Sequence, residues 1–427
     1  MKSIFLMMLL VFYLPAQDNF YFPGEWEPHE AVWLGWEDFA PFPPMTVKIV
    51  KALQSSVKIK MVAADDTTLV RAKKYLSSHH IDTNGIQFYI MHDNPIWMRD
   101  HGALFLVNSN GEMRATDFSW STYGMEKWLS DVLENADSVR HYLNLWALSV
   151  DKVDSMMAAA ESAGNIPSSV IIEGGALEMN GKGTLLLNES LTLERNPGKS
   201  KLYLEKEFKR VLGIKKIIWM GEGVAEDPHI IRTITGKYIG GGTGGHTDEY
   251  VRFANPNTVL LAWVDESERN NNPLNEINYQ RMSENLRRLQ HATDQDGKPF
   301  HIIKVPLPDP VLRSIIIVER KTEDDTSLNF NVRRFPKKDG WSVGDSAIRV
   351  SASSYLNFFV TNGIVLLPTY IKEGSSLEKE TKVRKIFTDL FLDRKIVFIE
   401  CMELNWYGGG IHCITQQQPL RRSQRNK

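Results

Sequence analysis

Residues 171–188 read IIEGGALEMNGKGTLLLN. Two apolar runs flank Asn180-Gly181, a dipeptide that suits the positive φ angles of a two-residue hairpin, so the stretch predicts paired strands with a tight turn. Helix-like LYLEKEFKRVLG (202–213) and strand-like KKIIWM (215–220) follow it. The order hairpin, helix, strand recurs downstream. VRFANPNTVLLAW (251–263) precedes NYQRMSENLRRLQHA (278–292) and FHIIKV (300–305). SSYLNFFVTNGIVLLP (353–368) precedes EKETKVRKIFTDLF (378–391) and KIVFIE (395–400). Near the start, AVWLGW, MTVKIVKALQSSV, KIKMVAA, TLVRAKKYLSSHH and IQFYIM alternate strand-like and helix-like patterns between residues 31 and 91. This alternation predicts a mixed α/β architecture built from related units. Residues 222–244 and 305–346 interrupt the rhythm and read as long surface insertions, with lids over a site as one reading of them.

The bulk composition narrows the partners. Of 427 residues, 42% are hydrophobic and 24% charged, as in an ordinary globular chain with ample core. A formal net charge of −2 gives no electrostatic basis for binding nucleic acid or an anionic membrane surface. Lys2, the apolar run Ile4–Leu14 and the small and polar residues Ala16 and Gln17 have the order of a secretory signal peptide. The run is too short to span a bilayer as a helix. Residues 1–16 are therefore expected to be a signal peptide, and 17–427 a single exported domain, periplasmic or extracellular. An exported chain can hold disulfides, so pairing of its two cysteines, Cys401 and Cys413, competes with a reactive thiol.

Reactive residues sit in glycine-rich or strand-edge stretches. WMRDHGALF (97–105) holds Asp100, IIEGGALEM holds Glu173, and GGHTDEY (244–250) holds His246 and Asp248. SSYLNFFV carries Asn357, and GGGIHCIT (408–415) carries His412 and Cys413. On a strand, His246 and Asp248 would face the same side and Glu249 the other. Two carboxylates, a histidine and a thiol suit a flat, permanently charged cation. Guanidinium is planar and donates in a fork that matches carboxylates. The same residues could serve a metal, but two cysteines and one His-x-Asp pair satisfy no zinc spacing. The glycines at 240–245 lack the strand–helix context of a phosphate loop, and no G-x-S-x-G elbow occurs.

Together with FPGEWEPHEAVWLGW (22–36), ERNP (194–197), VLLAW (259–263) and GGGIHCITQQQP (408–419), these stretches resemble the agmatine deiminases, grouped with the bacterial (Porphyromonas-type) peptidylarginine deiminases. The resemblance runs from about residue 22 to 419. It implies the pentein fold, a five-bladed α/β propeller of ββαβ-type units around a central polar site. It implies Cys413 as nucleophile, His246 as general acid and base, Asp100 and Asp248 as the grip on the guanidinium, and Glu173 as the support of His246. Asn357 and Trp97 are implied as substrate-binding residues. The implied activity is cysteine-dependent hydrolytic deimination through a covalent thiouronium, releasing ammonia and leaving a ureido product, with no metal or cofactor.

The substrate expected first is agmatine, converted to N-carbamoylputrescine; the alternative is protein arginine, converted to citrulline. An amidinotransferase and an inactive guanidine-binding protein are further readings. Two departures bear on the choice. Agmatine-directed members read D-T-[DN]-G-H before the histidine, whereas this chain has Gly242-Thr243-Gly244-Gly245-His246, without the first acid. The segment DFSWSTYGMEKW (117–128) lacks the arginines that would hold a peptide's C-terminal carboxylate.

Overall fold

The computed structural model describes residues 19–92, 96–133, 136–141, 152–319 and 330–421. The expected signal peptide lies outside the described residues. Among them no helix is long and apolar enough to cross a membrane.

The decisive hairpin forms, with a wider turn than its Asn-Gly signal predicts. Strands Leu177–Met179 and Thr184–Asn188 pair antiparallel with Glu178 opposite Leu186. Asn180 N–H bonds the Thr184 carbonyl, and the Asn180 side chain accepts from the Lys182 and Thr184 N–H groups. The local Asx bonding of Asn180 therefore carries the chain over Gly181–Gly183 rather than over two residues. From Thr184–Asn188 the chain crosses through helices Glu189–Arg195 and Lys201–Leu212 to Lys216–Met220, which pairs parallel with it. A parallel partner requires such a crossover, because a tight turn can join only antiparallel strands. The second helix is capped by Ser200, whose side chain accepts from Tyr203 N–H. It buries Leu204, Phe208, Val211 and Leu212 at helical spacing and ends at Gly213 in the left-handed region.

Among the described residues the same unit, an antiparallel pair extended by a parallel strand, occurs five times. It comprises Leu104–Val107, Met113–Ser119 and Gly164–Ile171; the unit just described; Val251–Asn255, Thr258–Trp263 and His301–Pro306; and Phe359–Thr361, Ile364–Thr369 and Lys395–Glu400. The remaining unit joins the chain ends. The C-terminal strand Thr415–Pro419 pairs antiparallel with His29–Gly35, which continues parallel into Lys58–Ala63 and Ile86–Ile90. This is the five-unit α/β architecture that the resemblance implies. Central strands such as Thr184–Asn188 are buried throughout, covered by their helices on one side and by neighbouring units on the other.

A sixth sheet draws together the two interrupting segments. Ile230–Thr235 and Tyr238–Gly242 form a hairpin, Tyr238–Gly242 pairs parallel with Ser346–Val350, and Leu312–Ile316 closes the far edge. Its parallel contact matches Tyr238 with Ile348, more than a hundred residues apart, so neither segment shows its partner locally.

Candidate active site

Each candidate reactive residue sits where a strand gives way to an irregular turn. Asp100 lies in the short helix Met98–His101 before Leu104–Val107. Glu173 directly precedes the turn Gly174–Ala176, and Thr247–Glu249 is a single 3₁₀ turn rather than the strand expected. The turn changes the geometry, because it brings Asp248 and Glu249 to the same side. One ligand atom from each, together with Cys413 Sγ, fall within 4.8 Å of one another. Asn357, read as part of a strand, lies in the bend before Phe359–Thr361.

The His246 loop depends on its glycines and on a carboxylate that was not singled out from the sequence. Gly245 has a φ of +110°, and a Cβ there would lie 2.5 Å from Asn188 Nδ2. Asp227 accepts from Thr243 Oγ1, Gly245 N–H and His246 N–H at 2.7, 2.9 and 3.0 Å. A Cβ on Gly242 would stand 2.1 Å from Asp227 Oδ1, so position 227 fills the space where an acid at 242 would go. The segment 222–244 thus anchors the loop of His246.

Around His246 the groups are buried and charged. Its Nδ1 is 3.7 Å from Asp100 Oδ1 and its Nε2 is 3.6 Å from Glu173 Oε2. Burial works against the imidazolium, but Asp100, Glu173 and Asp248 outweigh it and raise His246 to about 9. Burial raises Asp100 to about 6, with Asp248 and Glu173 adding to the rise and His246 opposing it. Asp100 accepts from Gly175 N–H at 3.0 Å and from the Tyr123 hydroxyl at 2.9 Å. Burial alone would raise Glu173, yet Arg195, 2.8 Å away, and His246 hold it well below the usual carboxylate range. Glu173 Oε2 and Asp248 Oδ1 are buried and accept no hydrogen bond among the described residues.

Both cysteines are free thiols, which removes the disulfide alternative. Cys413 Sγ meets Asn357 Nδ2 at 3.2 Å, Gly410 N–H at 3.3 Å and Asp248 Oδ2 at 3.8 Å. Burial pushes the thiol well above its ordinary value, and Asp248, Glu249 and Asp100 push it further. Asn357 also donates to Glu249 Oε1 at 2.8 Å, while its Oδ1 accepts from His412 N–H at 2.8 Å. Trp97 packs on the same loop, where a Cβ at Gly409 would lie 2.5 Å from its ring and 3.2 Å from Cys413 Sγ. Asp248, Glu249 and Cys413 could offer three donors to a metal ion, one short of the four that structural zinc sites take.

A layer of charge beneath these residues was not legible from spacing. His412 lies between two carboxylates, its Nδ1 2.7 Å from Asp248 Oδ2 and its Nε2 2.8 Å from Glu25 Oε2. Arg252 bonds Glu25 and Glu178, both at 2.8 Å, and the carbonyls of Leu356 and Phe358. The only sequence signal for Glu25 is its place in FPGEWEPHE.

The site therefore gathers Asp100, Glu173, His246, Asp248, Asn357 and Cys413 from turns of different units, with Trp97 against the cysteine loop. Chains of similar sequence carry related names. An agmatine deiminase of Stutzerimonas stutzeri is 28% identical over 417 residues, 95% of this chain and 97% of that protein. One of Pseudomonas aeruginosa is 27% identical over 414 residues, 96% of this chain and 98% of that protein. The solved structure of the agmatine deiminase of Enterococcus faecalis superposes with a TM-score of 0.71 at 25% identity, covering 95% of this chain and 97% of that one. The family model for Porphyromonas-type peptidyl-arginine deiminases matches residues 21–419, from just ahead of the strand His29–Gly35 to the end of the strand Thr415–Pro419, and the chain belongs to that family.

Proposed function

We propose that the protein is a hydrolytic deiminase of a guanidinium substrate, with agmatine as the substrate and N-carbamoylputrescine and ammonia as products. The observation that carries this reading is the pair of buried carboxylate oxygens that accept no hydrogen bond among the described residues, Glu173 Oε2 and Asp248 Oδ1, in the same centre as Asp100 and a free thiol. Acceptors left unpaired in a dry site suit a cation that brings several N–H donors in one plane. The agmatine deiminases similar over nearly their whole length support agmatine as that cation.

In this reading the ionised Cys413 attacks the guanidinium carbon, forming a C–S bond while the carboxylates hold the plane. His246, already an imidazolium, gives its proton to the departing nitrogen, so ammonia leaves and a thiouronium remains. The neutral His246 then takes a proton from water, whose oxygen attacks the same carbon. Collapse breaks the C–S bond, expels the thiolate and releases the hydroxyl proton to water, leaving the ureido product. Each step needs only groups of this chain and water.

The test is ammonia release from agmatine, with mass spectrometry of the product. Cys413→Ser is expected to abolish release while the protein still folds and binds agmatine; turnover at the wild-type rate in that variant sinks the mechanism. Ammonia from arginine-containing peptides and none from agmatine would replace the substrate by protein arginine. We propose export as well, from Lys2 and the apolar run behind it; a mature N-terminus near Gln17 on secreted protein would support it, and an intact Met1 would overturn it.

A further inference from the structure

The Cys413 thiol must lose its proton before it can attack, and its surroundings restrict where that proton can go. Among the described residues, three groups touch Sγ within hydrogen-bonding distance. Asn357 Nδ2 and Gly410 N–H are donors and can take nothing from it. Asp248 Oδ2, at 3.8 Å, is the one acceptor. His246 is not among these partners, and the three carboxylates around it already keep it protonated.

Asp248 leads onward. Its Oδ2 lies 2.7 Å from His412 Nδ1, and His412 Nε2 lies 2.8 Å from Glu25 Oε2. An ionised carboxylate can only accept, so each of these short contacts carries a proton. Glu25 in turn lines a cavity of about 20 Å³, shared with Phe22, Arg99, Glu178 and His412, that touches neither Cys413 nor His246. That volume holds about one water molecule, for which Glu25, Arg99, Glu178, His412 and Gln417 supply polar partners among otherwise apolar walls. A continuous hydrogen-bonded line thus runs from the sulfur, through a carboxylate, an imidazole and a second carboxylate, to a separate polar cavity.

We propose that Asp248, His412 and Glu25 form a proton path that carries the Cys413 thiol proton to the cavity beside Glu25 when a cation occupies the site. The path rests on the reading of Cys413 as the nucleophile. The S–H bond breaks and its proton passes to Asp248. The proton held between Asp248 and His412 settles on Nδ1, the Nε2 proton passes to Glu25, and Glu25 releases it to water in the cavity. One proton leaves the sulfur and one arrives in the cavity, leaving Asp248 protonated and His412 protonated at Nδ1 only; when the sulfur takes its proton back, the same transfers run in reverse from the cavity water and restore the starting states.

The charges along the line favour passage over storage. Burial would raise Glu25, but Arg252, His412 and Arg99 hold it far down, so it passes a proton on rather than keeping it. Burial, Arg252 and Arg99 also discourage a lasting charge on His412, against Glu25 and Asp248. At the sulfur, Asp248, Glu249 and Asp100 oppose thiolate, so the step waits for an added positive charge. His29, held down chiefly by burial, flanks Glu25 as a neutral group. The arrangement keeps the nucleophile protonated until a guanidinium arrives.

The experiment mixes the protein rapidly with guanidinium chloride and follows the ultraviolet absorbance of thiolate, so it needs no turnover. The wild type should show a fast rise, with a curved dependence on deuterium fraction from several protons moving together. In Glu25→Gln the amplitude should persist while the rate falls on the order of a hundredfold, the scale of one lost proton-transfer partner. In Glu25→Ala added formate should restore the rate, a rescue that a purely structural role for Glu25 would not give. A wild-type rise with a linear deuterium dependence, no rise at all, or an unslowed rise in Glu25→Gln each overturn the path. Because the deuterium arm uses wild-type protein, it decides the question even where the variants misfold. A failure of agmatine to yield ammonia would remove the substrate reading and leave this result standing.

Discussion

Asn357 Nδ2 stands 3.2 Å from Cys413 Sγ, and the same nitrogen bonds Glu249 Oε1. The amide cannot flip without also losing the His412 N–H bond to its Oδ1, so its hydrogens are aimed by both neighbours. A fixed N–H donor beside a sulfur that becomes negative stabilises the thiolate as an oxyanion hole stabilises an oxyanion.

Asn357→Ala removes that donor and frees the cysteine loop. We expect kcat to fall about 10²–10³-fold, the scale of one lost donor at a developing anion, with a smaller change in KM. Asn357→Asp should be worse, since it adds a carboxylate to three already near the sulfur. Single-turnover formation of the covalent intermediate is the measurement; unchanged rates in both variants would show that Asn357 only shapes the loop.

The pH dependence follows from His246 and Asp100. His246 is raised above its ordinary value, so its protonated form persists up to about 9 and is lost above that. Asp100 is raised to about 6 by burial, so the ionised form needed to hold a cation is lost as pH falls through that value. The profile of kcat/KM should therefore be a bell with limbs near those two values. Tyr123→Phe removes a donor from ionised Asp100, whose bond with Tyr123 is 2.9 Å, and should move the acid limb up by about one unit. A stationary acid limb in that variant would assign the limb to another group.

How far the sequence showed this site can be judged group by group. Asp100, Glu173, His246, Asp248 and Cys413 were legible because each lies among glycines or at a strand edge, where chemistry needs close backbone approach. Glu249 was misread, since strand alternation turned it away from Asp248, whereas the 3₁₀ turn sets both at the thiol. His412 was visible beside Cys413, but Glu25, Arg252 and Asp227 act through partners distant in the chain, up to 387 residues between Glu25 and His412, and no local pattern encodes such pairs. The units themselves were visible from hairpin and helix periodicity. The sixth sheet was hidden for the same reason as the charge layer, because its strands find each other only across the fold.

Arg252 tests that charge layer as a source of stability. It is 1% exposed and ties Glu178 of one unit, two carbonyls of another and Glu25 of the N-terminal segment. Arg252→Met keeps the bulk and removes the cation, leaving Glu25 and Glu178 buried without their main partner. Breaking one side of a buried ion pair costs about 3–5 kcal/mol, so the denaturation midpoint should fall clearly. Arg252→Met combined with Glu25→Gln and Glu178→Gln should recover part of the loss, because the uncompensated charges are gone. A triple variant no better than the single one would locate the cost in packing.

Gly175 separates the needs of the site from those of the fold. Its N–H bonds Asp100 Oδ1, and its φ is not in the left-handed region, so the backbone accepts alanine. The new methyl, however, would lie 2.7 Å from His246 Nδ1, 2.9 Å from Asp100 Oδ1 and 3.0 Å from Asp248 Oδ2. Those three groups, drawn from two turns, enclose the point where the methyl would sit, and they are the two carboxylates proposed to hold the guanidinium plane and the proposed proton donor. Gly175→Ala should therefore wedge them apart and fill space the substrate needs. Helix and sheet contacts are untouched, so the expected loss of stability is about 1–3 kcal/mol, the usual cost of overpacking. Agmatine affinity, read by calorimetry on a Cys413→Ser background, should fall far more than the thermal midpoint. If binding survives while stability collapses, the close approach at Gly175 serves the fold, and the guanidinium lies elsewhere in the ring.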